Sequence, residues 1–240
     1  MALILNLETS TTVCSVSLAK DGALIGLKEI NGDYSHSENL TLFVEDVMAQ
    51  SAFKLSDVEA VAVSKGPGSY TGLRIGVSTA KGLCYSLNIP LIAVNTLEHI
   101  ALSVSSNEQT FAANPSSLFC PMLDARRMEV YCGVLDAGNN WVVPTSAEII
   151  YEHFFSKLLA LAGRDNAEQA VYFFGDGAEK CKEILSQNKN AFFVNDVFPS
   201  AKNMITLSEK AFNNKQFEDT AYFEPFYLKD FMAGKKKTPK

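Results

Sequence analysis

The sequence predicts an α/β fold whose first half has the strand and helix order of a ribonuclease-H-like domain. Three strand-like segments follow one another near the N-terminus, which indicates an antiparallel meander. After them, helix and strand patterns alternate, and this alternation indicates parallel pairing. A glycine-rich turn within Ser64–Gly76 joins one of these strands to a helix. The predicted order of the first half is therefore β-β-β-α-β-α-β.

Each of the three leading strands has its own pattern. Residues 2–7 are typical of a buried strand, and Cys14–Leu18 alternates between apolar and small polar side chains. Asp21-Gly22 is a hairpin turn signal, and Ala23–Glu29 follows it as the third strand.

A helix from about Ser37 follows the meander, because apolar residues recur there at helical spacing. Those residues are Leu40, Phe43, Val44, Val47 and Met48. The rest of this half is predicted as a strand at Val58–Val63, a helix at Tyr70–Leu87, a break at Asn88-Ile89-Pro90 and a strand at Leu91–Val94.

The second half is predicted to be a smaller α/β unit without a close internal repeat. Residues 105–117 are rich in Ser, Asn, Gln and Pro and are interpreted as a linker, which divides the chain into domains 1–104 and 105–240. The predicted strands are Leu118–Leu123, Glu129–Leu135, Asn140–Val143 and Val171–Phe174. The predicted helices are Ala147–Leu161, Ala178–Gln187 and Ala201–Phe212.

The glycine-rich turn predicts the start of the helix at Tyr70–Leu87. Gly66 and Gly68 flank a proline and cannot continue a strand, whereas Ser69 and Thr71 are residue types that cap helices. The free amides and the dipole of a helix start attract anions, so this turn is a candidate anion site.

The same helix carries a stripe of small residues at Gly72, Gly76 and Ala80, across which another helix could approach. Covering the chain's own sheet is the simpler interpretation. However, the stripe and the apolar residues Leu73 and Val77 spread around much of the helix, which is typical of a helix buried on more than one side. We therefore expect a partner, and we expect Gly76→Leu to block its docking.

The composition indicates a globular protein that belongs in a reducing cytosol. The 240 residues are 47% hydrophobic and carry a formal net charge of −6, which disfavours stand-alone nucleic-acid binding. The basic tail at 235–240 is interpreted as a solvated end, with a weak contact to RNA or a partner as the alternative. The odd number of cysteines, five, and the lack of a C-x-x-C pair favour buried free thiols. We expect neither a signal peptide nor a membrane span.

Metal and nucleophile chemistry lack their usual patterns. No two of His36, His99 and His153 stand three or four residues apart, and Glu98-His99 does not extend to H-E-x-x-H. His36, beside a helix start, is interpreted as a polar surface or interface residue. No G-x-S-x-G motif is present in the sequence.

Two segments are candidates for nucleotide contact. Glu8 follows the first strand and could serve magnesium, while Thr9 and Ser10 could donate hydrogen bonds, but no glycine follows to let a phosphate approach. Gly175-Asp176-Gly177 is a second candidate loop. Neither segment completes a hydrolytic site.

Motifs spread over most of the chain resemble those of the TsaB (YeaZ) family, in the same order. They are Ile4–Ser10, Ser35–Glu38, Gly66–Gly76, Pro90–Leu97, Asp124–Tyr131, Gly175–Gly177 and Pro225–Leu228. The resemblance implies a two-domain actin-like, sugar-kinase-like (ASKHA) fold. It also implies a cytoplasmic, non-catalytic subunit in threonylcarbamoyladenosine biosynthesis on ANN-decoding tRNAs.

The resemblance further implies the partners and the surfaces. The chain would form a heterodimer with the catalytic paralogue TsaD, work with the ATPase TsaE, meet tRNA only through the complex and form a homodimer when alone. The metal ligands of the paralogue correspond to Thr96 and Ile100, so no metal is expected, although a nucleotide could sit at the complex interface. Glu8 departs from the aspartate common in the family.

The predicted site has two parts. The docking helices would contact TsaD through His36, Leu40, Phe43, Val47, Gly72, Arg74, Gly76, Val77, Ala80 and Lys81. The possible nucleotide or anion contacts are Glu8, Thr9, Ser10, Gly66, Gly68, Gly175 and Gly177. The alternative functions are an independent actin-like ATPase or small-molecule kinase and, third, a metal-dependent glycopeptidase.

Overall fold

Two five-stranded sheets form the frame of the molecule in the computed structural model, which describes residues 2–32, 36–106, 116–164 and 168–229. The first sheet has the order β3-β2-β1-β4-β5, in which β1, β2 and β3 are antiparallel and β4 and β5 are parallel to β1. Its strands are β1 (Leu3–Glu8), β2 (Val13–Lys20), β3 (Ala23–Asn31), β4 (Ala60–Gly66) and β5 (Leu91–Asn95). The predicted α/β class and the strand order of the first half are confirmed.

The second sheet repeats the topology of the first. Its order is β10-β9-β6-β7-β8, again three antiparallel strands followed by two parallel ones. Its strands are β6 (Leu118–Asp124), β7 (Glu129–Asp136), β8 (Trp141–Ile149), β9 (Val171–Phe174) and β10 (Ala191–Val194). The duplication is therefore one of topology, which the sequence does not display as a repeat.

The helices follow equivalent strands in the two halves. They are α1 (His36–Ala49), α2 (Tyr70–Leu87), α3 (Thr96–Ser105), α4 (Phe154–Leu161), α5 (Lys182–Leu185) and α6 (Ile205–Asn213). Short 3-10 turns cover Leu55–Asp57, Glu179–Cys181 and Ala201–Met204. The predicted bounds of α2 are confirmed at both ends.

The alternation along β1 sets the layers of the first half. Leu3, Leu5 and Leu7 face a core built with α1 and α2, so these two helices lie side by side on one face of the sheet. Ala2 and Ile4 point to the opposite face, because successive strand residues alternate. That face is covered by the turn at 201–204 and by α6.

Each half sends its last helix to the sheet of the other half. α3 packs Leu97 and Ile100 against Phe119 of the second sheet, whereas α6 follows Met204 onto Ile4 of the first. The two sheets therefore share their covering helices. The division of the chain at residues 104 and 105 stays a prediction.

Several predicted elements of the second half are corrected. Residues 147–149 belong to β8 and pair with β7, so the helix predicted over Ala147–Leu161 is α4 alone. The helix predicted over Ala178–Gln187 is a 3-10 turn followed by the single turn of α5. α3 and β10 were not predicted. Most of the predicted linker and the whole basic tail lie outside the described residues.

Other predictions concern local features. All five cysteines are free and buried, as expected, and burial raises the pKa of Cys14, Cys84 and Cys181 to about 11. Within the described ranges, no helix is long and apolar enough to cross a membrane.

Candidate functional site

The start of α2 is held by the chain itself. Ser69 caps the helix, because its Oγ accepts a hydrogen bond from the Gly72 amide at 3.3 Å. The amide of Ser69 donates to the carbonyl oxygen of Ser10 at 2.6 Å, which ties the helix start to the turn between β1 and β2. The predicted cap is confirmed. The amides of Ser69 and Gly72, which were candidates for binding an anion, donate hydrogen bonds within the chain instead.

The glycine stripe of α2 faces the same turn and not the surface. A Cβ atom at Gly72 would lie 2.1 Å from the carbonyl oxygen of Thr9, and one at Gly76 would lie 2.3 Å from Thr9 Oγ1. Thr9 Oγ1 also donates to the carbonyl of Gly72 at 2.8 Å. Ala80 is fully buried. The interpretation of the stripe as a docking groove is corrected, since the β1–β2 turn already fills it.

Glu8 and His99 form a buried pair beneath this turn. Oε2 of Glu8 lies 2.7 Å from Nε2 of His99, and Oε1 accepts the Ser10 amide at 2.6 Å. Both side chains are fully buried. Burial alone would raise the pKa of Glu8, but the hydrogen bond and charge of His99 and the Ser10 contacts outweigh it, so the pKa is lowered.

This burial bears on the predicted nucleotide contacts. Glu8, Thr9 and Ser10 are all completely shielded from solvent. The Glu8 carboxylate and the Thr9 hydroxyl are hydrogen-bonded within the chain, whereas Ser10 Oγ has no hydrogen-bond partner among the described residues. Gly68 is equally close-packed, because a Cβ atom there would lie 2.3 Å from the Ser10 carbonyl oxygen. The expectation that these residues present groups to a ligand is therefore corrected for this conformation.

The other predicted glycines also lie against backbone. Gly66 has a φ of +110°, and a Cβ atom there would lie 2.8 Å from the carbonyl oxygen of Phe226. A Cβ atom at Gly175 would lie 2.3 Å from the Met122 carbonyl oxygen, and one at Gly177 would lie 2.7 Å from the Leu123 carbonyl carbon. The two loops occupy equivalent places in the two sheets, each against the end of a central strand. Glycine is therefore required at these positions because a side chain would overlap neighbouring backbone.

Half of the predicted docking residues belong to the core of the first half. These five residues, which pack against the sheet, are Leu40, Phe43, Val47, Val77 and Ala80. His36 is also buried, with its Nε2 2.8 Å from the carbonyl oxygen of Thr11, so its interpretation as a surface residue is wrong.

Arg74 and Lys81 contact the C-terminal strap, which we define as residues 218–229. Lys81 Nζ donates to the carbonyls of Ala221 and Phe223 at 3.0 and 3.1 Å. Arg74 Nε donates to the hydroxyl of Tyr227 at 3.2 Å. The strap is also fixed to the first sheet, since the Phe226 amide donates to the Lys65 carbonyl at 2.7 Å. The Pro225–Leu228 motif had no predicted structural role, and the sequence carries no signal for this contact.

The outward surface of α1 and α2 is a different set of residues, here called the outer helix face. It comprises Leu42, Glu45, Ala49, Ser78, Gly82 and Tyr85, all exposed. Leu42 is 54% exposed and Tyr85 is 87% exposed. Nothing lies within 4 Å of a Cβ atom built at Gly82. Helical spacing alone does not distinguish this face from the buried stripe, because both repeat every three or four residues.

The described residues contain no group of three or more His, Cys, Asp or Glu side chains that could hold a metal ion. His99 is committed to Glu8, while Thr96 and Ile100 are fully buried beside it. These residues therefore form packing contacts and the buried Glu8–His99 pair.

The duplicated β-β-β-α-β-α-β topology, with its exchanged helices, defines an actin-like, sugar-kinase-like (ASKHA) protein. A family model described as TsaD, tRNA N6-adenosine threonylcarbamoyltransferase, matches residues 32–237. The chain is 27% identical over 237 residues to the tRNA threonylcarbamoyladenosine biosynthesis protein TsaB of Escherichia coli, with 97% of each chain covered. The same-named Bacillus subtilis protein is 35% identical over 136 residues, which cover 57% of this chain and 56% of that protein. The chain belongs to this family, in its TsaB (YeaZ) branch.

A solved structure described as YeaZ from Pseudomonas aeruginosa has the same fold. It superposes with a TM-score of 0.77 at 23% identity and covers 95% of this chain and 100% of the other. The resemblance predicted from the motifs is confirmed.

Proposed function

We propose that this protein is a non-catalytic scaffold subunit in tRNA threonylcarbamoyladenosine biosynthesis, which docks the catalytic paralogue TsaD through the outer helix face. Support for the pathway comes from the full-length relatives, which are named as biosynthesis proteins of this nucleoside. The match to the TsaD family model supports a partner with the same fold. Two related folds can present equivalent helices to each other across a pseudo-twofold axis.

The observation that carries the proposal is the outer helix face itself. Leu42 and Tyr85 project from helices whose opposite sides are fully engaged with the sheet. Tyrosine is a typical hot-spot residue of protein interfaces. The small residues Ser78 and Gly82 precede Tyr85 on the same side of α2 and would let a second pair of helices approach closely. The four helices would form a bundle.

A scaffold role agrees with the buried chemistry of the chain. The positions that correspond to the metal ligands of the paralogue are Thr96 and Ile100, and both are shielded from solvent. An independent ATPase or kinase would need an open phosphate turn, but Ser10 fills the space beside Gly68. We therefore place threonylcarbamoyl transfer in TsaD. The assembled complex, rather than this chain alone, would bind TsaE, any nucleotide and the tRNA.

The test is to mix the purified chain with TsaD of the same organism and measure the mass by size-exclusion chromatography with light scattering. We expect a one-to-one heterodimer to replace a free homodimer. Leu42→Glu and Tyr85→Glu should each weaken the heterodimer at least tenfold, because they place a charge in an apolar contact. Leu161→Glu is the matched control, since Leu161 is a 56% exposed helix leucine of the second half.

The outcomes separate the alternatives. Loss of the complex in the two face variants, with the control unaffected, supports the proposal. An unchanged affinity in both face variants would move the interface elsewhere. Absence of any complex, with and without ATP, would argue against the scaffold role and favour a separate enzyme.

A further inference from the structure

The charged residues of α1 and α2 are separated by sign. Those of α1 are all acidic, namely Glu38, Glu45 and Asp46, whereas those of α2 are both basic, namely Arg74 and Lys81. The helix dipole acts within the first and last turns of a helix. It does not explain the separation, because Glu45, Arg74 and Lys81 lie outside those turns. Two neighbouring helices therefore present surfaces of opposite charge.

Most of these charges have no partner of opposite sign within the part of the chain that the structure describes. Asp46 is the exception, since its Oδ2 lies 3.1 Å from Nζ of Lys28 on β3. No ion pair between described residues includes the other four, which are Glu38, Glu45, Arg74 and Lys81. The two basic side chains donate to neutral groups of the C-terminal strap instead. The four charges are therefore left for a partner to satisfy.

Arg74 is held in a fixed orientation on α2. Its Cζ lies 4.2 Å from the ring centroid of Tyr70, and its Nε donates to the Tyr227 hydroxyl at 3.2 Å. The hydrogen bond with Tyr227 and, to a smaller extent, the charge of Glu224 on the strap raise the pKa of Arg74, but Glu224 forms no ion pair with it. Because Nε makes the internal hydrogen bond, the two terminal nitrogens can bind a carboxylate in a bidentate manner.

The charges flank the small and apolar residues of the outer helix face. Leu42 lies four residues after Glu38 and three before Glu45, so the three share one side of α1. On α2, Ser78 has the same spacing from Arg74 and Lys81. Charged residues beside the contact line of two helices set partner choice and orientation. The outer helix face thus has an acidic side on α1 and a basic side on α2.

We propose that the docking partner presents two helices of opposite charge, a basic one against α1 and an acidic one against α2. The inference rests on the proposed docking function and adds the chemistry and the orientation of the partner. Carboxylates of the acidic helix would accept hydrogen bonds from Arg74, and cations of the basic helix would face Glu38 and Glu45. The opposite orientation is disfavoured, because it brings like charges together.

A charge of either sign at one position tests this assignment. Thr41 is exposed on α1 between Glu38 and Glu45, and Ser78 is exposed on α2. With TsaD of the same organism, Thr41→Glu should bind at least roughly fivefold more tightly than Thr41→Lys. At Ser78 the order should be reversed, with Ser78→Lys binding at least roughly fivefold more tightly than Ser78→Glu. Titration calorimetry measures the four affinities.

The comparison at each position removes most steric effects, since both new side chains are long. Ser156→Lys and Ser156→Glu are the matched controls, because Ser156 is an exposed helix serine of the second half. They should bind TsaD equally. The preferences at Thr41 and Ser78 should also shrink between about 0.1 M and about 1 M salt, since the screening length falls from about 10 Å to about 3 Å. Circular dichroism checks that every variant is folded.

Opposite preferences at Thr41 and Ser78 support the assignment. A preference at fewer than both positions, or for the same sign at both, would overturn it. Opposite preferences seen only in self-association of the free chain would also overturn it, because a second copy would then be the occupant of the face.

Leu42→Glu distinguishes this failure from a failure of docking. It adds an acid to the acidic helix, so a weaker complex reports the loss of the apolar contact. Loss of the complex in Leu42→Glu, with equal affinities of the lysine and glutamate variants, would overturn the charge assignment alone. Full binding by both Leu42→Glu and Tyr85→Glu would overturn docking through this face.

Discussion

Oε2 of Glu8 lies 2.7 Å from Nε2 of His99, and this contact joins β1 of the first sheet to the helix that covers the second. Oε1 of the same carboxylate holds the Ser10 amide, and the Ser10 carbonyl in turn accepts from Ser69 at the start of α2. A continuous series of hydrogen bonds therefore runs from α3 to α2. It fixes the β1–β2 turn on which the glycines of α2 rest.

The first prediction concerns this buried pair. His99→Leu should lower the free energy of unfolding by about 3–5 kcal/mol, because it leaves the Glu8 carboxylate buried without its partner. The double variant Glu8→Gln/His99→Leu removes the charge as well and should recover part of the loss. Urea unfolding followed by circular dichroism measures both. Equal losses in the single and double variants would show that the pair acts by packing alone.

The second prediction is the pH dependence of the same group. Since the folded-state pKa of Glu8 lies below the ordinary value of a glutamate, about 4.5, its ionised form stabilises the fold above that pH. This stabilisation should be lost as the pH falls from about 4.5 through the folded-state pKa. Glu8→Gln should lack this component, so its stability should fall less steeply in acid. Parallel acid-unfolding curves for the two proteins would contradict the prediction.

The third prediction separates the two sides of α2. Gly72→Ala should lower the free energy of unfolding by about 1–3 kcal/mol, because its Cβ atom would overlap the backbone of Thr9. Gly82→Ala, in the same helix but open to solvent, should raise it by roughly 0.5–1 kcal/mol. Thermal unfolding of both variants provides the measurement. Equal shifts would place the stripe at the surface.

This result also changes the expectation for Gly76→Leu. A leucine there would meet Thr9 Oγ1, whose rotamer is fixed by its hydrogen bond to Gly72. The variant should therefore unfold at lower temperature and would not report on partner docking in a folded monomer.

The fourth prediction concerns the C-terminal strap. Lys81→Met keeps the aliphatic stem but removes the hydrogen bonds to the Ala221 and Phe223 carbonyls. The Phe226 amide should then exchange its hydrogen roughly fivefold faster, equivalent to about 1 kcal/mol. Lys189→Met at an exposed lysine should leave that rate unchanged. Hydrogen exchange by NMR distinguishes the two, and an unaltered rate in both would mean that Lys81 does not hold the strap.

Local sequence patterns predict those elements whose conformation is determined by residues adjacent in the sequence. α2 begins at a serine cap and ends before Asn88, which has the left-handed φ of 54° typical of a helix end. Ala147–Ile149 were predicted as the start of a helix, but their pairing with β7 makes them part of β8. α3 has a helix-capping signal in Asn95, whose Oδ1 accepts hydrogen bonds from the amides of Leu97 and Glu98. This signal was missed because Asn95 directly follows the apolar run of β5.

The candidate site was harder to predict, because helical spacing shows which residues share one face of a helix but not what that face contacts. The spacing of Gly72, Gly76 and Ala80 correctly indicates a close approach, but the neighbour is the turn at Thr9, about 60 residues earlier in the chain. The Glu8–His99 pair and the strap depend on contacts between residues far apart in sequence. No local pattern marks such contacts.

The reciprocal placement of α3 and α6 makes the two halves mutually dependent. A fragment ending near residue 104 would lose Met204 and α6, and it would expose the apolar face formed by Ile4, Ala62 and Ile92. The remainder would lose α3 and uncover Phe119 and Phe174. Neither sheet can close its core before most of the chain has been made. The protein should therefore lose structure in a single cooperative step. Two protein fragments divided near the middle of the chain should fold and associate only when they are expressed together.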